Sequence, residues 1–181
     1  MDQERLRWKV NVRTADVALA AVPVPLRVLD VSCGDGALVR ELVARLPNVL
    51  EMTGLDPDER MVHEARRQTE GEPRFRQGFP EHLPFPNEHF DLVVTALSFS
   101  EWVDPYLGLR EVSRVLRPRG ALVLAEVSSR WRRRSDDPPR MLPPSVYAQL
   151  FTQTGLRPGP REVVYRRFGV VPLIRAFIAY R

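Results

Sequence analysis

The chain has 181 residues, 27 Lys and Arg against 23 Asp and Glu, a formal net charge of +4 and one cysteine. That length suits one domain (1-181), which buries about 70% of the surface its unfolded chain exposes and needs no covalent staples. A lone cysteine excludes an internal disulfide and a cysteine-built metal cluster, and it fits a reduced, cytoplasmic setting. The opening MDQERLRWKV is charged and lacks the apolar core of a signal peptide, and no apolar run reaches membrane-spanning length, so no membrane partner is expected. Arginine carries nearly all the positive charge, with Lys9 the only lysine, in a chain rich in Ala, Val, Leu and Pro. This compositional bias looks like a GC-rich bacterial genome and weakens any argument from charge to nucleic acid, so no nucleic-acid partner is expected.

Residues 2–22 predict a helix with Trp8, Val12, Ala15 and Leu19 near one face, ended by Pro23 and Pro25. Val28, Leu29 and Val31 then form a compact apolar run suited to a strand covered on both faces. Asp30 stands at its end, and Ser32-Cys33-Gly34-Asp35-Gly36 makes a tight small-residue turn. Leu38, Leu42 and Leu46, joined by Val39 and Val43, give the next helix an apolar face. Its N-terminus should point at the turn and favour carboxylate, phosphate or hydroxyl oxygens. A dinucleotide fingerprint would need a third glycine where Val39 stands, and a phosphate loop would need a lysine that is missing.

A strand is expected over residues 50–55, then a helix begun by Asp56-Pro57, with Pro57 at its first position and Met61, Val62 and Ala65 on its apolar face. In that reading Asp56 is either the helix N-cap or a ligand contact. A short strand over 74–77 leads into GFPEHLPFPNEHFD, whose prolines forbid regular structure. Residues 90–97 predict a strand, 106–116 a helix with Leu109, Val112 and Leu116 inward, 117–120 a turn, and 121–127 a buried strand. The Arg- and Pro-rich stretch 128–144 reads as the longest loop, 145–154 as a helix stopped at Gly155, and 161–168 and 173–180 as closing strands. This alternation implies an α/β fold with a mostly parallel sheet and helices on both faces. His63, His82 and His89 show no metal-ligand spacing, so no metal is expected.

Four segments in order carry a resemblance. Val28 to Val43 is similar to the first motif of the class I S-adenosylmethionine-dependent methyltransferases, with Ser32 in place of the first glycine. Gly54-Leu55-Asp56 with Met61 and Ala65, then LPFPNEHFDLVV, then REVSRVLRPRGALVLAEV, are similar to the family's later motifs. The chain resembles the small-molecule, UbiE-like type, and the resemblance runs over residues 27–181, leaving the N-terminal helix unassigned. It implies a Rossmann-like, doubly wound, seven-stranded sheet with the last strand antiparallel. It also implies S-adenosyl-L-methionine as cofactor, with S-adenosyl-L-homocysteine as product. Residues 26–127 would be the cofactor-binding core.

Carried onto this chain, the family's cofactor contacts fall at Asp30, Ser32, Cys33, Gly34, Gly36, Asp56, Pro57, Met61 and Ala96, with Asp56 holding both ribose hydroxyls. Where relatives have Gly-Asp-Ala before the LPF segment, this chain has Gly78-Phe79-Pro80. Phe79 cannot accept a hydrogen bond and Pro80 has no N–H, so adenine is held either by Glu81 or by stacking and apolar contact. The loop after the fourth strand supplies Glu101 as candidate base, with Ser100, where relatives often have a histidine pair. The alternative for Glu101 is a solvated loop residue. Trp102, Arg130 and Trp131 are candidate substrate contacts for an anionic or aromatic small-molecule acceptor, although residues 130–134 also read as a solvated arginine loop. The lone cysteine in the turn argues against pyrimidine C5 chemistry, Thr95-Ala96-Leu97-Ser98 lacks the pattern of base-amino methylation, and Glu101 lacks the second glutamate of protein-arginine methylation. The expected activity is methyl transfer to an O, N or C atom by a monomer or homodimer. The competing expectation is a catalytically silent cofactor-binding module that regulates or completes a partner.

Overall fold

The computed structural model describes residues 3–71, 73–127, 142–167 and 171–181. Its centre is β1 (Arg27–Val31), flanked by parallel partners β2 (Glu51–Asp56) and β4 (Phe90–Ala96). With neighbours on both edges and helices on both faces, Val28, Leu29 and Val31 are fully buried, as a continuous apolar run requires. The remaining strands are β3 (Arg74–Gln77), β5 (Leu116–Val127), β6 (Arg157–Arg167) and β7 (Val171–Tyr180). The seven-stranded sheet has the order β3-β2-β1-β4-β5-β7-β6, and β7 runs antiparallel to β5 and β6. Strand order reverses between β1 and β4, which opens a crevice beyond their carboxyl ends.

Helices α1 (Gln3–Ala21), α2 (Ala37–Val43) and α3 (Glu59–Gln68) cover one face, where Val10, Ala18, Val39, Leu42 and Val62 share a core with Val28 and Val94. The other face is covered by α4 (Pro105–Val115) and α5 (Pro144–Gln153), through Leu109, Val112, Tyr147 and Phe151 against Leu29, Val93 and Leu122.

Several elements differ from the sequence reading, each for a local reason. In α1 the buried stripe is Val10, Thr14, Val17 and Ala18 with Ala15, while Trp8 is 60% exposed. Helix α2 is seven residues long and ends at Val43, although Leu46 still reaches the core. Helix α3 is capped by Asp58, whose side chain accepts from the Arg60 N–H, so it begins at Glu59 and neither Asp56 nor Pro57 starts it. Strand β5 begins at Leu116: residues 117–120 bulge opposite Asp91, with Arg119 at φ 70, before pairing resumes at Ala121. Strand β6 starts at Arg157, because as an edge strand it tolerates Pro158 and Pro160.

The proline-rich stretch before β4 is irregular apart from a single bridge between Phe79 and His82, and α4 ties it down. Arg114 donates to the carbonyls of Leu83 and Phe85, at 2.8 and 2.7 Å, and Glu111 accepts the Leu83 N–H at 2.9 Å. Arg114 in turn holds the Glu111 carboxyl below its usual range, first through their hydrogen bond. The wall that this stretch forms is therefore fixed to the sheet through a charged pair.

Gly54, in mid-β2, sits where a Cβ would fall 2.6 Å from the Phe75 ring and 2.8 Å from Cys33 Sγ. Gly54→Ala must push both aside, and urea unfolding is expected to show a loss of about 1–3 kcal/mol, the usual range for overpacking.

Candidate functional site

A cavity of about 610 Å³ occupies the crevice beyond β1 and β4. Its floor is the turn after β1. Cys33 N–H donates to the Leu55 carbonyl at 3.0 Å, and Gly34 N–H donates to Asp56 Oδ2 at 2.8 Å. Asp56 Oδ1 accepts the Asp58 N–H at 2.9 Å, so one carboxylate joins the turn, the end of β2 and the start of α3. Ser32 adopts φ 58 and Gly34 φ 55, the left-handed region in which glycine is least strained. Gly36, at φ 78, serves as the N-cap of α2, where a Cβ would crowd Phe75 and Ala65.

Among the sequence-derived candidates, the cavity is lined by Asp30, Ser32, Cys33, Gly34, Asp56, Pro57, Met61, Phe79, Pro80, Glu81, Ala96, Glu101 and Trp102. Gly36 and Ser100 do not line it. Gly36 shapes the turn from behind, and the Ser100 N–H lies 3.3 Å from Oε2 of buried Glu126. Arg130 and Trp131 lie outside the described residues. The sequence reading missed Arg7 and Asn11, which stand four apart on one face of α1 and enter the lining. A polar pair at helical spacing was the available signal, but it does not differ from an ordinary solvated face.

The electrostatics differ from the expectation of an anion-favouring helix end. Asp35 Oδ1 accepts the first N–H of α2, from Ala37. Asp30, Asp35, Asp56, Asp58, Glu81 and Glu101 bring six carboxylates to the lining, against Arg7 as the single cation among the described residues. Asp30 is only 2% exposed, and no hydrogen-bond donor reaches it among the described residues. Burial, then Asp56, then Asp35 push its carboxyl well above the usual carboxylate range. Burial raises the Cys33 thiol beyond the physiological range, with Asp30 and Asp56 adding to the effect, so it is no thiolate nucleophile. Such a cavity suits a ligand carrying positive charge.

The opposite wall is the turn after β4. Leu97 takes φ 61, its N–H donates to the Ala125 carbonyl, and the Thr95 and Ser98 hydroxyls lie 2.8 Å apart. A 3₁₀ turn, Phe99–Glu101, then presents Glu101 at the cavity. Trp102 packs against Phe99 and over Gly108, where a Cβ would meet its ring at 2.4 Å. Its buried Nε1–H meets no acceptor among the described residues. Glu81 Oε1 accepts the Asp104 N–H at 3.0 Å, which ties the two walls together.

Residues 29–124 match the family model described as a methyltransferase domain. The demethylmenaquinone methyltransferase of Deinococcus radiodurans is 40% identical over 117 residues, covering 63% of this chain and 48% of that protein. That of Thermus thermophilus is 39% identical over 124 residues, covering 67% of this chain and 54% of that protein. The chain thus spans about half the length of the curated relatives it matches. A crystal structure of a SAM dependent methyltransferase from Aquifex aeolicus superposes with a TM-score of 0.81 at 19% identity, over 99% of this chain and 93% of that one.

The raised Asp30 carboxyl has a definite consequence for stability. Because the folded state holds this proton more tightly than the unfolded state, its contribution is full below the ordinary aspartate value near pH ~4 and is lost as pH rises through the folded value. Asp30→Asn is expected to raise the thermal midpoint of the ligand-free protein at pH 7, with the gain shrinking toward pH 4. Thermal unfolding across that range checks it, and an equal or lower midpoint at pH 7 contradicts the assignment.

Proposed function

The chain belongs to the class I S-adenosylmethionine-dependent methyltransferase family, and from that premise we propose that it methylates a small aromatic acceptor of the quinol type. The observation that carries the reading is the acid-lined cavity built on the turn after β1, with Asp56 locked to Gly34 and Asp30 buried beside it. S-adenosylmethionine bears a sulfonium and an ammonium, and the donor set fits it: carboxylates surround the turn, and the cavity of about 610 Å³ has the size of a cofactor site.

The residues take distinct parts. Each Asp56 oxygen accepts one backbone N–H and keeps a second lone pair, so the carboxylate can accept both ribose hydroxyls. Asp30 places negative charge near the ammonium. Glu81 uses Oε1 for Asp104 and has Oε2 to accept the adenine amino hydrogen, the task Phe79 cannot perform, while Phe79 and Pro80 supply apolar contact. Bound there, the cofactor supplies a methyl group already activated as a leaving sulfonium substituent, so positioning and exclusion of water carry much of the rate. Glu101, at the lip of the other wall, takes the acceptor's hydroxyl proton as the ring carbon beside that oxygen gains the methyl and the S–CH3 bond breaks, leaving a neutral thioether; the hydrogen on that carbon then leaves as a proton, the ring oxygen is reprotonated, and the ring is aromatic again. Leu97, Trp102 and Val103 give that side an apolar surface for a ring. The name shared by the Deinococcus and Thermus relatives supports a demethylmenaquinol-like acceptor.

Calorimetric titration with S-adenosylmethionine and S-adenosylhomocysteine tests the cofactor first. Micromolar binding is expected, and Asp56→Ala should weaken it about 10- to 100-fold, the worth of hydrogen bonds to a charged group. Transfer of a labelled methyl group to demethylmenaquinol then tests the acceptor. Glu101→Gln is expected to lower kcat about 100-fold while leaving cofactor binding intact. Binding without transfer to any aromatic acceptor would overturn the enzymatic reading in favour of a cofactor-binding module.

A further inference from the structure

Resting on the cofactor reading above, we propose that Arg7 of α1 binds the cofactor's carboxylate, making this helix the closing wall of the site. The charge count in the cavity requires a special position for that group. Six carboxylates favour the sulfonium and the ammonium, but the same field repels a carboxylate, and among the described lining residues only Arg7 can offset it. The methyltransferase domain match begins at residue 29, so α1 lies outside it.

Arg7 is placed and free for the task. Its Nη2 lies 3.8 Å from the point where a Cβ on Gly34 would stand, so the guanidinium sits over the turn after β1. Its contact with Asp35 is also 3.8 Å, well beyond the 2.7–2.9 Å typical of a charge-assisted hydrogen bond, and the Arg7 side chain keeps 60% of its exposure. That loose pair holds the guanidinium near the turn while leaving its fork of donors for a planar carboxylate. The platform beneath is rigid: Val10 and Ala18 of the same helix are fully buried in the core with Val39 and Leu42 of α2. Asn11, one turn on, adds a neutral polar side chain to the same wall.

The test compares S-adenosylmethionine with its decarboxylated form, S-adenosyl-3-methylthiopropylamine, by calorimetry on the wild type, Arg7→Met and Arg7→Lys. Wild type is expected to bind the decarboxylated compound about 10- to 100-fold more weakly. Arg7→Met should bind S-adenosylmethionine as weakly as wild type binds the decarboxylated compound, with little further loss on decarboxylation, and Arg7→Lys should recover part of the difference. Amide exchange in the first turns of α1 should slow with S-adenosylmethionine and not with the decarboxylated form. If Arg7→Met keeps the full wild-type ratio, this inference falls while the cofactor reading stands. If the wild type binds neither compound, the cofactor reading falls and takes the inference with it.

Discussion

The site depends on the hydrogen bond from the Gly34 N–H to Asp56. Through it a single carboxylate fixes the turn after β1 to the end of β2, and through the Asp58 N–H it also sets where α3 begins. A hydrogen bond to a charged acceptor contributes about 1.5–3 kcal/mol, enough to hold a turn that includes the left-handed Ser32. The close approach it needs is made possible elsewhere, by the missing side chain of Gly54, which leaves room for Cys33 and Phe75 to pack behind the turn. Geometry at the ligand end of the sheet is thus determined two strands deep.

The same arrangement sets an electrostatic cost. Asp30, Asp35 and Asp56 are close enough to raise the Asp30 carboxyl, and Asp30 has no compensating donor among the described residues. A protein selected for stability alone would have little reason to bury it. A ligand bearing positive charge relieves the repulsion, so the stability given up by the empty fold reappears as differential affinity for that ligand.

The legible parts of the sequence were those fixed by local pattern. The apolar run of β1, the Ser-x-Gly-x-Gly turn and the acid after β2 each declare themselves within a few residues, and they sufficed to place the cavity floor. What could not be read depends on contacts distant in the chain. Asp58 caps α3 because Asp56 is engaged by Gly34, a residue 22 positions earlier. Trp8 lies outside and Thr14 inside because α1 packs on α2 and the strands, and the period of a helix does not say which stripe a neighbour will cover. The sequence reading begins the sixth strand only at 161, whereas β6 includes Pro158 and Pro160, and only their place on an edge strand makes them compatible with pairing.

Floor and walls therefore answer different questions. The floor, made of strand ends and one turn, has little freedom, since its backbone groups pair with one another and its acids are fixed by the sheet. The walls come from α1, from the stretch at 79–81 and from the turn at 98–103, each anchored by its own device: the apolar stripe of α1, the Glu111 and Arg114 pair, and the Trp102 ring seated on Gly108. Changes in a wall can alter what the cavity admits while the floor keeps the same charge pattern. Phe79 and Pro80 give one wall an apolar surface, while Glu81, tied to Asp104 across the gap, keeps a carboxylate at that edge.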